Sequence, residues 1–245
     1  MNKWIRRVLV STLALASGCV TTSYTRGWIS HSNQTTTQNG VIHGTRSLPP
    51  FGTGYRTYSL FGSALGRQYG HHKVIETLEE SFANLHEQTG QTFDISEIGH
   101  RHGGRFLPHK THRTGLSVDI VTPMKTGEGE PARLKTGPLS LWGYCWHINP
   151  KDNKLNGYKW DVLPGSTYPT LCPTVPTPSN KEVDFETLKL MIRELSSSAK
   201  SKGGRVKYVI VAPSFVSSLK GVGVPITTKA NIVHDDHIHV EFQFD

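Results

Sequence analysis

Between His100 and Asp119 the chain reads His-Arg-His-Gly-Gly-Arg-Phe-Leu-Pro-His-Lys-Thr-His-Arg-Thr-Gly-Leu-Ser-Val-Asp, four histidines and a carboxylate within twenty residues. A second run near the C-terminus, His234-Asp-Asp-His-Ile-His239, adds three more, so seven of the thirteen histidines fall in two short blocks. Neutral imidazoles with one carboxylate are the donor mixture of a catalytic zinc that keeps a position open for water. Such an ion lowers the pKa of its water to about 7 and polarises a carbonyl, which is the chemistry of hydrolysis. A closed structural zinc fits less well, because those sites favour cysteine and four tight ligands.

Strand phase singles out individual residues. Leu116 to Val121 reads as a strand, with Val118 and Ile120 on one face and Ser117 and Asp119 on the other. His237 to Phe244 alternates strictly, His237, His239, Glu241 and Gln243 opposing Ile238, Val240, Phe242 and Phe244. If these strands are neighbours with polar faces aligned, Asp119 lies near His237 and His239. Gly115 can bend the turn bearing His112 back over the same face. His112, Asp119 and His239 then form three protein ligands, with a fourth site left for water. His237 shares the face and suits a general base or a donor to a developing oxyanion. His109 and His234 are placed to hydrogen-bond water, substrate or a ligand's outer edge. His100 and His102 are assigned only to the Gly103-Gly104-Arg105 turn.

The elements that must position these residues are legible from periodicity. A helix is expected over 73–88, where Val74, Ile75, Leu78, Phe82 and Leu85 recur at helical spacing and Gly90 provides a stop. A second is expected over 184–202, with Phe185, Leu188, Ile192, Leu195 and Ala199 on its apolar face and Asp184 as N-cap. Strands are expected over 93–99 and 206–212, and 58–69 is expected to be irregular. Residues 122–180, with Trp142, Trp146 and Trp160, read as a long insertion with a hairpin that walls a groove or covers the core. The fold class is α+β, with a central mainly antiparallel sheet, flanking helices and long loops.

The chain of 245 residues divides into an export signal (1–18), a flexible tether (19–47) and one domain (48–245). Lys3, Arg6 and Arg7 precede a short apolar run ending at Ala16-Ser17-Gly18-Cys19, which is too short to span a bilayer. That ending also looks like a bacterial lipobox, with Cys19 as the lipid-bearing residue, although Leu is commoner than Ala at its first position. Val20 then favours the outer membrane, so the expected place is the periplasm. Removing the signal takes three cations from a net charge of +8 and leaves +5, which suits an anionic surface. Nucleic acid is disfavoured by the export signal and by the lack of a basic cluster interleaved with aromatics. An oxidising compartment would permit a Cys145–Cys172 disulfide, worth roughly 3 kcal/mol for a loop of that size.

His112-x₆-Asp119 with His237-x-His239 resembles the LAS group of zinc peptidases, and the fuller pattern resembles one family within it. Gly103-Gly104-Arg105, His109-x-x-His112-x-x-Gly115-Leu116-x-x-Asp119 and His234-x-x-His237-x-His239-Val240 resemble the penicillin-insensitive murein endopeptidases. The resemblance implies Zn²⁺ on His112, Asp119 and His239, His237 as the catalytic histidine, and supporting roles for His109 and His234, with a second metal contact open to His109. It implies hydrolysis of peptide cross-links in peptidoglycan, of the D-alanyl–diaminopimelate type. The lipobox and the single internal cysteine pair depart from a family that is usually soluble with several disulfides. Two rivals remain: a D,D- or L,D-carboxypeptidase of the same group, and a non-catalytic peptidoglycan-binding lipoprotein.

Overall fold

The computed structural model describes residues 36–38, 41–106, 109, 111–134, 146–158, 180–228 and 234–244. The export signal, Cys19, Cys145, Cys172, Trp142 and Trp160 lie outside them. Among the described residues, seven strands form one sheet in the order Ile226–Thr227, Gly204–Ile210, His237–Phe244, Ser117–Val121, Phe93–Glu97, Tyr55–Thr57, Phe51–Gly52. The four central strands pair antiparallel. Parallel pairs occur further out, at Gly204–Ile210 with Ile226–Thr227 and at Tyr55–Thr57 with Phe93–Glu97. The α+β architecture with a mainly antiparallel sheet is therefore observed.

One face of this sheet is apolar. Ile95, Val118, Ile120, Ile238, Val240 and Phe242 are all buried there, in one core with the long helices His72–Thr89 and Phe185–Ser201. The first helix contributes Val74, Ile75, Leu78, Phe82 and Leu85, each at 0% exposure. Burying each such side chain stabilises by about 1.5–3 kcal/mol, which holds the helices against the sheet. Gly90, at φ 68°, closes that helix with its N–H on the His86 carbonyl. Asp184 caps the second helix, accepting from the Thr187 amide at 3.1 Å.

Two stretches depart from expectation, and the 122–180 insertion contains the expected hairpin. Residues 58–69 contain a helical turn, Leu60–Ala64, because the Ser59 hydroxyl accepts from the Gly62 amide at 2.9 Å and starts it. Within the segment expected as tether, Thr36–Gln38 and Val41–His43 pair as a hairpin, Ile42 is buried, and its N–H donates to the His102 carbonyl at 3.1 Å. Of the 122–180 insertion, Met124–Thr126 lies between Pro131–Ala132 and Lys181–Val183, and a hairpin pairs Trp146–Ile148 with Leu155–Tyr158. Trp146 is buried at its base. No helix among the described residues is long and apolar enough to cross a membrane.

Candidate metal centre

The centre is built on the polar face of the sheet. His237–Phe244 pairs with Ser117–Val121 so that His239 stands opposite Asp119, His237 opposite Val121 and Glu241 opposite Ser117. Phe93–Glu97 on the other side brings Glu97 opposite Asp119. Three strands thus deliver Glu97, Asp119 and His239 in a row, because residues of equal parity share a face.

His112 reaches the same point from the loop before the Asp119 strand. Gly115, at φ +67°, makes the turn; a Cβ there would lie 2.9 Å from the His71 nitrogen and 3.2 Å from Gly70 backbone. His112 is fully buried, and its Nδ1–H donates to the Ile98 carbonyl at 2.8 Å. A carbonyl can only accept, so the hydrogen is fixed on Nδ1 and the Nε2 lone pair is left pointing inward. That Nε2 is 3.1 Å from Asp119 Oδ1 yet has no hydrogen-bond partner among the described residues. Two buried electron-pair donors this close repel unless a cation or proton lies between them. Burial lowers the His112 pKa, against the opposing pull of Asp119, which keeps the ring in its ligating form.

Asp119 gathers the other imidazoles. His239 Nδ1 lies 2.8 Å from its Oδ1 and His109 Nδ1 lies 3.8 Å from its Oδ2. His109, His112 and Asp119 offer ligand atoms that all fall within 4.8 Å of one another, so they could hold a metal ion. Burial pushes the Asp119 pKa up, but His112 and then His239 outweigh it and hold the carboxyl well below its ordinary range. His237 and His234 complete the group, their rings 4.8 Å apart and the His234 ring 6.3 Å from that of His239. Of the expected site residues, His109, His112 and Asp119 thus lie within ligating reach of one another, His239 stands against Asp119, and the His234 and His237 rings adjoin each other beside it. His100 instead tilts against Phe106, at 4.6 Å between rings, and His102 is exposed.

Several surrounding residues had no sequence signal beyond their polarity. Glu97, buried, lies 2.9 Å from His109 Nε2 and pairs on its other side with Arg67. The Arg67 guanidinium stacks 3.9 Å above Phe106, whose ring in turn lies against His112. Ser117 donates to Glu241 at 2.5 Å, and Glu241 Oε2 stands 3.6 Å from His239 Nε2. Asp235 and Asp236, both buried, accept from the Ile148 and Trp146 amides at 3.0 Å each. Their place inside the His234–His239 block was the one available hint.

A two- or three-imidazole, one-carboxylate donor set with a tautomer fixed by a backbone carbonyl fits zinc, whose ligating histidines typically donate their other nitrogen in this way. Comparison with known proteins bears on the family rather than on the metal. The model of the family described as penicillin-insensitive murein endopeptidase matches residues 34–161, just over half of the chain. A Haemophilus influenzae protein named "Penicillin-insensitive murein endopeptidase" is 36% identical over 83 residues, which is 34% of this chain and 28% of that protein. The chain thus spans little more than a quarter of that relative's length.

Proposed function

The chain belongs to the penicillin-insensitive murein endopeptidase family, and on that premise we propose that it is a zinc-dependent endopeptidase hydrolysing peptide cross-links of peptidoglycan, of the D-alanyl–diaminopimelate type. The observation that carries this reading is the buried, unpartnered Nε2 of His112 facing Asp119 Oδ1 at 3.1 Å. His112 through Nε2, Asp119 through its carboxylate and His239 through Nδ1 would hold the ion. His109 stands close enough to add a further contact. When bound, zinc supplies Lewis acidity at the scissile carbonyl and makes water acidic enough to act near pH 7.

The chain's own residues do the rest. His237 accepts a proton from the attacking water and passes it to the leaving amine, or donates to the developing oxyanion. His234, its ring 4.8 Å from that of His237, supports it from the side. Glu97, itself fixed by Arg67, orients His109. The lipobox-like start supports a periplasmic domain tethered to the outer membrane through Cys19. In the test, His112→Ala or Asp119→Ala loses zinc and muropeptide-dimer cleavage together, whereas His237→Ala keeps zinc and loses turnover. Full cleavage of dimeric muropeptides by a zinc-free variant would overturn the proposal.

A further inference from the structure

We infer that Asp236 is a positioning residue that fixes the tautomer of His237, and that it thereby makes His237 a base rather than a neutral hydrogen-bond donor. The inference rests on the function proposed above for His237. His237 Nδ1 lies 2.8 Å from Asp236 Oδ1, and both side chains are almost wholly buried, at 5% and 1% exposure. An ionised carboxylate only accepts, so the hydrogen of a neutral His237 ring belongs on Nδ1. The lone pair is then on Nε2, on the opposite edge of the ring. A ring in that state can take a proton from water but cannot donate to an oxyanion until it has done so.

The carboxylate that imposes this choice is itself immobilised. Asp236 Oδ2 accepts from the Trp146 amide at 3.0 Å, and the Asp236 carbonyl accepts from the Thr122 amide at 3.0 Å. Asp235, its neighbour, spends one oxygen on the Ile148 amide at 3.0 Å and the other on the Asp236 amide at 3.1 Å. The Thr122 hydroxyl donates to the Asp235 carbonyl at 3.1 Å. Both aspartates therefore tie the Trp146–Ile148 strand to the site, but among these contacts only that of Asp236 extends to a histidine ring. Asp235 shares the anchoring role, and neither of these two bonds reaches the His237 ring, which makes it the control.

The experiment compares Asp236→Ala with Asp235→Ala in the full zinc-loaded chain. Cleavage of dimeric muropeptides is read as kcat and KM separately, and side-chain ¹⁵N NMR reads the His237 tautomer, assigned through His237→Ala. The expected result is Nδ1–H in the neutral ring of the unmodified protein and loss of that single tautomer in Asp236→Ala. With it, kcat should fall by about 10²–10⁴-fold, the usual worth of a positioned acid–base group, while KM changes little. Asp235→Ala should keep the tautomer and most of kcat. An Nε2–H tautomer in the unmodified protein overturns the inference even if Asp236→Ala does not fold. So does an equal kcat loss in both variants, which would assign the effect to anchoring of the hairpin. Because the tautomer is read without turnover, failure of the orienting role is separable from failure of the proposed activity.

Discussion

Metal binding at this centre should release a proton at neutral pH, and His239 determines how much. Burial depresses its pKa, but hydrogen bonds with Asp119 and then Glu241 outweigh that and push it up to about 9 in the metal-free protein. To ligate through Nδ1 the ring must lose that proton. The two pH units from 7 to 9 correspond to a factor of about 100 in affinity, or roughly 3 kcal/mol. His112, lowered by burial, and Asp119, held ionised by its imidazole neighbours, add no proton of their own. The zinc association constant should therefore rise about tenfold per pH unit from 7 to 9 and flatten above, with close to one proton released per ion at pH 7. Titration calorimetry in two buffers of different ionisation enthalpy counts the proton, and competition with a chelator of known affinity gives the slope. Glu241→Gln removes one of the groups holding the His239 proton and should move the plateau to lower pH. Affinity that stays flat between pH 7 and 9, with no proton delivered to the buffer, would refute the reasoning.

The same residue makes a stability prediction of defined sign. A histidine raised above its unfolded value stabilises the fold fully below about pH 6.5 and ceases to as pH rises through about 9. The urea midpoint of chelator-treated protein should fall over that window, by at most about 3 kcal/mol in stability, and a midpoint that rises there contradicts the His239–Asp119 pairing. Gly115→Ala should cost more than about 1 kcal/mol, from the left-handed backbone and the 2.9 Å approach to His71. It should also weaken zinc binding, since the same turn carries His112; thermal melting and zinc titration read both, and an unchanged melting temperature with full affinity would show the turn to be compliant.

Much of this architecture could be read before any coordinates. Five apolar residues from Val74 to Leu85 at helical spacing place the first long helix to within a residue or two of its ends. The alternation in His237–Phe244 puts His237 and His239 on the polar face where they stand. Glu97 was different. A carboxylate at a strand end is ordinarily solvated, and its Arg67 and His109 partners lie far from it in sequence. Asp236 lay inside a histidine-rich block, but its second contact, to the Trp146 amide, spans 90 residues of chain. The helical turn at Leu60–Ala64 depends on a single Ser59 cap, too local a feature to outweigh the surrounding glycines. The family match ends at residue 161, before the His234–His239 block.

Amino-acid order alone settled which donor atoms the molecule owns and which side of each strand they occupy, because imidazole and carboxylate chemistry and the two-residue strand period are local properties. Tertiary structure had to decide that residue 239 stands against residue 119 and not a neighbour. A slip of two positions would keep every histidine of that strand on the same face while moving it past its partner, and the apolar alternation does not resist it. It also decided which nitrogen of His112 carries hydrogen, since the Ile98 carbonyl that fixes that ring meets it only in the folded chain.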